Sequence, residues 1–315
     1  MVTWIVASAI VIALYILIYY NFLSGVPCRS DTSLKGRTAI VTGANSGLGK
    51  ATALDFARRG ARVIAACRSK QRAEAAILDI RKKSGNNQVI YMHLDLGSLK
   101  SVRVFAETFL KSEPHLHLLV NNAGTGAVGL TADGFNAAWG VNHLGHFLLT
   151  SLLLDRLKQC APSRIVVVSS VAHCLGRVDL TDLTSPTAGF VSRLCSYGTS
   201  KLCNVLFARE LANRLEGTNV TSYSVHPGFV FTDAFCDLGI VRKLLFLPIA
   251  FLFFRTPADG AQTIIHCAVQ EGIEKFSGRY FADCAVRKVS PRARDDAVAR
   301  KVWEVSERLA GLHRD

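Results

Sequence analysis

Tyr197 and Lys201 stand four residues apart. Positions i and i+4 share one face of a helix, so a phenol and an ammonium would point into the same groove. A phenol with a pKa of about 10 is a poor acid–base group at neutral pH. A neighbouring ammonium, and an oxidised nicotinamide where one binds, favour the phenolate and lower that value. Alone, Tyr-x-x-x-Lys is a common spacing. It gains weight from Ser169 and Ser170 at the end of the strongest predicted strand, Arg164–Ser169, because open α/β sheets bind ligands at their carboxyl edge. Spacing does not choose between the two hydroxyls. One of them, with Tyr197 and Lys201, would make a carbonyl-reduction site in which the serine hydrogen-bonds the substrate oxygen while hydride passes to or from a nicotinamide.

Such a site needs a dinucleotide beside it. Thr42-Gly43-Ala44-Asn45-Ser46-Gly47-Leu48-Gly49 follows the first predicted strand and opens a helix. Glycines let the backbone approach a pyrophosphate, and the helix N-terminus offers unpaired N–H groups and a positive dipole end. Gly43, Asn45, Ser46, Gly47, Leu48 and Gly49 are therefore the candidate cofactor turn. At the end of the second strand, NAD binders usually carry an acid for the ribose 2′-OH and NADP binders an Arg nearby. This chain has Cys67 and then Arg68 there, with Ser46 and Lys50 in the turn region. No carboxylate stands at that point to repel a 2′-phosphate, so NADP(H) is the expected cofactor and Arg68 its selector.

His143 and His146 are three apart on one predicted helix, without an acidic or Cys partner to complete a metal site, and no metal is expected. His226 reads as packing. Nine cysteines are scattered without a C-x-x-C pair, which fits reduced thiols facing the cytosol. A net charge of +13 asks for an anionic partner, yet no nucleic-acid module or basic–aromatic array accompanies it, so nucleic acid is not expected.

The positioning elements alternate. Strands are predicted at 38–42, 62–66, 89–94, 116–120, 164–169 and 220–225. Helices are predicted at 47–59, 71–83, 102–109, about 134–158, 197–215 and 295–309. Alternation of this kind predicts an α/β fold, a Rossmann-type doubly wound parallel sheet covered on both faces, in one domain spanning 37–312. Before it, residues 1–23 carry no charge between Val2 and Leu23, and about twenty apolar residues suffice to cross a bilayer. They are read as a retained N-terminal transmembrane helix, with 24–36 as linker. Arg29, Lys35 and Arg37 after the span place the domain in the cytosol. The sequon at Asn219 is then on the wrong side of the membrane. A second apolar stretch, Ile240–Phe254, is Pro-interrupted and too short to span. Its Phe/Leu patch, flanked by Arg242, Lys243 and Arg255, suits contact with acidic membrane lipid.

The turn at 42–49, Asn121-Asn122-Ala123-Gly124, Asn142, Ser170, Tyr197/Lys201 and His226-Pro227-Gly228 occur in the order and spacing of the short-chain dehydrogenase/reductase family. This resemblance covers about residues 36–283. The stretches VNHLGHFLLT (141–150), APSRIVVVSS (161–170) and SGRYFADC (277–284) resemble its retinol dehydrogenase branch. The resemblance implies a catalytic tetrad in which Asn142 organises a proton-relay water, Ser170 orients the carbonyl, Tyr197 exchanges the proton, and Lys201 binds the ribose and tunes Tyr197. It selects Ser170 over Ser169. It also implies that Asp95 and Leu96 meet the adenine edge, that Asn121, Ala123 and Gly124 line the adenosine ribose side, and that Pro227, Gly228 and Thr232 meet the nicotinamide end. An inserted segment, about 179–194, is expected to wall the pocket. Joined to the anchor and to Arg68, the resemblance implies a membrane-anchored, NADP(H)-dependent oxidoreductase of a hydrophobic, retinoid-like alcohol or aldehyde, running reductively. The alternatives are a reductase of steroid or lipid-derived carbonyls and a non-catalytic cofactor-binding scaffold. The resemblance also allows a homodimer and points to the endoplasmic reticulum membrane.

Overall fold

The computed structural model describes residues 25–179, 183–186, 189–230 and 254–312. The predicted anchor, most of the apolar stretch 240–254, and Thr232 lie outside the described residues. Among the described residues, no helix is long and apolar enough to cross a membrane.

Eight strands form one sheet: β1 (Thr38–Thr42), β2 (Arg62–Cys67), β3 (Val89–His93), β4 (Leu118–Asn121), β5 (Ser163–Val168), β6 (Val220–His226), β7 (Tyr280–Ala282) and β8 (Ala285–Val286). Their spatial order is β3-β2-β1-β4-β5-β6-β7-β8. All pairs are parallel except β7 with β8. The central strands are apolar along their whole length because helices cover both faces. One face carries α1 (Gly47–Arg58), α2 (Lys70–Ser84) and α6 (Pro257–Val269). The other carries α3 (Leu99–Ser112), α4 (Gly145–Gln159), α5 (Gly189–Arg214) and α7 (Asp296–Leu309).

The sheet winds outward from β1 to β3, then returns to β4 on the other side of β1. The crevice where the winding reverses, above Thr42 and Asn121, is where such sheets bind dinucleotides. The sequence pattern anticipates this doubly wound α/β architecture but misplaces three features. Tyr197 is not at the start of its helix: α5 begins eight residues earlier, at Gly189. The expected helix from about 134 is a single helical turn at Ala137–Trp139, a wide π-turn at Gly140–Leu144, and then α4. Finally, α6 and the β7–β8 hairpin have no counterpart in the predicted elements. Asp283 and Cys284 form the two-residue turn of that hairpin with φ of 51° and 54°, the twist-matching conformation that Asn-Gly usually supplies. The Arg255 guanidinium meets the Asp283 carboxylate at 2.7 Å.

The expected linker is docked rather than free. Arg59 donates to the Ser30 and Thr32 carbonyls at 2.7 and 3.1 Å, Cys28 N–H donates to Gln262, and Leu34 is buried.

Candidate active site

The carboxyl end of β1 organises the cofactor crevice. The Thr42 hydroxyl accepts N–H groups from Asn122 and Ala123 at 2.8 and 2.9 Å, while the Asn122 amide donates to the Thr42 carbonyl at 2.8 Å. These bonds pin the 121–124 segment to the glycine-rich turn. Gly47 takes φ +51° as it enters α1. A Cβ on Gly49 would lie 2.3 Å from the Gly43 carbonyl oxygen, so no side chain fits there. Ser46 is the N-cap of α1 in extended backbone, and its hydroxyl caps nothing. Asn45 and Leu48 flank it, half-buried.

At the end of β2 the Cys67 thiol is buried against the turn, and desolvation pushes it up to about 11. Arg68 comes next, exposed. Lys50, considered beside it from sequence, is paired with Asp79 at 2.7 Å. Asp95 accepts the Gly97 N–H at 2.9 Å, and Leu96 is buried. Asn121 is buried, with its amide donating to Thr150 at 2.8 Å. Its side chain therefore faces α4, and only its backbone can face a ligand.

The chemistry-bearing side chains converge across the crevice. Tyr197 and Lys201 lie on one face of α5, the ammonium 5.5 Å from the centroid of the phenol ring. The Ser170 hydroxyl sits beside the phenol and accepts the Ala172 N–H at 3.2 Å. Ser169 is spoken for: its hydroxyl is buried and donates to the Lys201 carbonyl at 2.7 Å. Geometry thus separates two neighbours that spacing could not. Asn142 lies in the π-turn. Its amide is consumed internally, accepting Thr125 N–H at 2.7 Å and donating to Thr125 O and Ser200 at 3.0 Å each. Gly124 leaves room beside both groups; a Cβ there would stand 3.5 Å from Lys201 Nζ and from Asn142 Oδ1.

Burial dominates the electrostatics. It raises the Tyr197 phenol to about 12, with the Ser170 hydroxyl pulling the other way. Burial alone lowers the Lys201 ammonium to about 8. The lowered phenol expected from sequence is therefore not a property of the protein groups by themselves, because desolvation outweighs the Ser170 hydrogen bond. Lys201 donates to the Val168 carbonyl at 3.0 Å, and no carboxylate among the described residues pairs with it. A buried ammonium in that state calls for further acceptors, which ribose hydroxyls supply. With the glycine turn and the free Ser46 hydroxyl, the residues present fit a nicotinamide dinucleotide.

Exposed apolar side chains stand on the turn after Ser170, at the start of α5 and after β6. Phe190, Val191 and Phe229 are 70 %, 72 % and 62 % exposed, and Leu175 and Leu194 are also exposed. The described part of the inserted segment packs on the loop before α4, with Asn136 bonded to Leu183 O, Ser185 O and Ser196. Pro227 and Gly228 stand at the end of β6. A Cβ on Gly228 would lie 2.5 Å from the Arg255 guanidinium. Sequence reasoning assigned no role to Thr42, Asn122 or Ser200, which act through contacts between segments distant in sequence; only the Thr42 and Asn122 positions within the glycine-turn and 121–124 motifs hinted at them.

Residues 37–239 match the family model described as short chain dehydrogenase. Dehydrogenase/reductase SDR family member 13 of Bos taurus is 58% identical over 95% of this chain and 79% of its own length. Human retinol dehydrogenase 12 is 50% identical over 93% of this chain and 92% of its own. Among solved structures, an uncharacterised protein from Mycobacterium paratuberculosis superposes with a TM-score of 0.73 at 35% identity, covering 91% of this chain and 98% of that one. L-Sorbose reductase of Gluconobacter frateurii, solved with NADPH and L-sorbose, gives 0.64 at 21% identity over 82% of this chain and 100% of its own, a likeness of fold.

Proposed function

Since the chain belongs to the short-chain dehydrogenase/reductase family and is an oxidoreductase related to the retinol dehydrogenases, we propose that it is a membrane-anchored, NADP(H)-dependent enzyme that reduces a hydrophobic, retinoid-like aldehyde or ketone to the alcohol. The observation that carries this reading is the convergence of the Tyr197 phenol, the Ser170 hydroxyl and the Lys201 ammonium, with exposed apolar side chains at the start of the same helix and after β6. The 43–49 turn, Arg68, Asp95, the 121–124 backbone, Lys201 and the Pro227–Gly228 turn would hold the cofactor, which when bound would supply hydride and, once oxidised, a positive charge.

Ser170 donates a hydrogen bond to the substrate oxygen and orients the carbonyl. Tyr197, whose burial keeps it protonated, gives its phenolic proton to that oxygen, so that with the cofactor's hydride the product would be a neutral alcohol. Lys201 stabilises the phenolate left behind, and the Asn142 carbonyl offers the acceptor that holds the relay water through which Tyr197 is reprotonated from solvent. Arg68 without a nearby acid favours the 2′-phosphate form of the cofactor, and a mostly reduced NADP pool favours reduction. The uncharged stretch Val2–Leu23 and the flanking basic residues support an anchor in the endoplasmic reticulum membrane with the catalytic domain in the cytosol.

The test is NADPH oxidation by the purified, detergent-solubilised full chain with retinal, a steroid ketone and a medium-chain aldehyde. Turnover highest on retinal and lost in Tyr197→Phe is the expected result. Preference for the steroid ketone reassigns the substrate. NADPH binding without turnover on any carbonyl overturns the catalytic reading.

A further inference from the structure

His143 and His146 lie on neighbouring turns, both fully buried, and their hydrogen bonds run in opposite directions. His143 Nε2 is 2.8 Å from the Ser306 hydroxyl, which itself donates to the Val302 carbonyl. Ser306 therefore accepts, His143 carries its proton on Nε2, and the bond ties the π-turn to α7, away from the crevice. His146 faces the other way. Its Nδ1 is 3.0 Å from the Asn142 carbonyl oxygen, which can only accept, so the proton is on Nδ1. Its Nε2, 2.9 Å from Thr42 Oγ1, is then an acceptor. Thr42 already accepts two backbone N–H groups, and its one hydroxyl proton has two acceptors in reach, His146 Nε2 at 2.9 Å and the Val120 carbonyl at 3.3 Å; the shorter bond takes it.

We propose that His146 is a positioning residue for the reaction: it locks the backbone carbonyl of Asn142 to Thr42, and so holds the proton-relay acceptor in register with the cofactor turn. The inference rests on the carbonyl-reductase reading of the site, and it names a group outside the tetrad.

Three observations support a role beyond filling space. A phenylalanine would occupy the same apolar surroundings without two polar nitrogens, whose burial is tolerable only when both are bonded. Both are. The partners are not incidental either: Thr42 is the group that pins the 121–124 segment, and Asn142 belongs to the site. The helix is also wound wide here, with Gly145 N–H reaching back five residues to Gly140 O. A carbonyl in a π-turn is less constrained by the regular ladder, so an external donor decides its direction. Burial pushes the imidazole down to about 3, with Lys201 adding to the effect and the Asn142 bond opposing it. The ring thus stays neutral in the one tautomer that serves both partners.

Asn and Gln substitutions separate the two arms. Asn places its amide nitrogen near the position of Nδ1 and keeps the bond to Asn142. Gln reaches the position of Nε2 and keeps the bond to Thr42. In the full chain with NADPH and retinal, His146→Phe is expected to lower kcat about tenfold, the kinetic equivalent of one lost hydrogen bond. KM and the NADPH Kd should stay within about twofold, because the cofactor contacts themselves are untouched. His146→Asn should regain most of that kcat, and His146→Gln should not. Equal losses in Asn and Gln, no loss in Phe, or an NADPH Kd that rises in step with falling kcat each overturn the proposal. Nitrogen-15 spectra of the imidazole rings give a readout independent of turnover. They should show His146 protonated on Nδ1, His143 on Nε2, and neither titrating between about pH 5 and 8. A His146 ring protonated on Nε2 overturns the proposal even in an active enzyme. A wild-type chain that reduces no carbonyl, with the Nδ1 tautomer in place, overturns the reductase reading and with it the role in catalysis.

Discussion

On the cofactor side of the crevice, Thr42 and Asn122 bond to one another and Gly49 packs against both Asn122 and the Gly43 carbonyl. On the side proposed for the substrate, Phe190, Val191 and Phe229 are exposed. The first region is built from backbone, small residues and short-range hydrogen bonds, so it can hold one ligand in one pose. The second offers apolar area with few directional groups, so it can select a chemical class without dictating a shape. Tyr197, Ser170 and Lys201 lie on the seam. Pose and chemistry are thus set by the rigid half, while substrate choice is left to side chains that contribute little to the core.

The strongest way to test that division is to break the seam. Tyr197→Phe should reduce kcat on retinal by about 10²–10⁴-fold, the usual worth of general acid catalysis, with the NADPH Kd unchanged. A cofactor affinity that fell as well would mean that the two regions are not separable. Next in size is Arg68→Glu, which places a carboxylate beside the expected 2′-phosphate. It should weaken NADPH by about 10–100-fold, as expected when a charge-assisted bond is replaced by repulsion, and bring NADH to parity or better in steady-state kinetics.

Lys201 sharpens the contrast from the side of stability. Its ammonium is lowered from 10.5 to about 8 by burial, so between those pH values the folded chain binds fewer protons than the unfolded one. Stability contributed by this group therefore rises with pH across that window and is lowest below pH 8. Lys201→Met should abolish turnover yet raise Tm at pH 7 by about 4 °C, because the buried charge costs more than its single bond to Val168 returns. Scanning calorimetry at pH 7 and 9.5 checks this, and the gain should shrink at the higher pH. The smallest effect is expected at the rim. Phe190→Ser with Val191→Ser should raise KM for retinal about 3–10-fold, as partial burial of two apolar side chains predicts, and leave kcat/KM for a short aldehyde unchanged.

Much of this was legible in the sequence because it rests on local rules. The short apolar runs at 38–42 and 62–67 and the period-3.6 patterns of 47–58 and 70–84 report strands and helices directly. Tyr197 and Lys201 share a helix face wherever the helix begins. What local pattern could not show has a common cause. The start of α5 at Gly189 carries Phe190 and Val191 outward, so no apolar stripe announces it. The β7–β8 hairpin turns through Asp283 and Cys284 rather than a glycine, and part of its support comes from Arg255, 28 residues upstream. The π-turn at Gly140–Leu144 interrupts a pattern that reads as continuous helix.

Residues adjacent along the chain suffice to specify the alternating α/β architecture, the glycine turn that suits a dinucleotide, the absence of an acid after β2, and the Tyr-x-x-x-Lys face. Other assignments wait for the folded sheet to bring distant segments together. Ser169 is buried on the Lys201 carbonyl while Ser170 stands beside the phenol. Asn121 turns inward, and His146 joins Asn142 to Thr42 across 104 positions. Hydrogen bonds of this kind have no local signature, and the burial that fixes the protonation states of Tyr197, Lys201 and His146 exists only once the chain has closed around them.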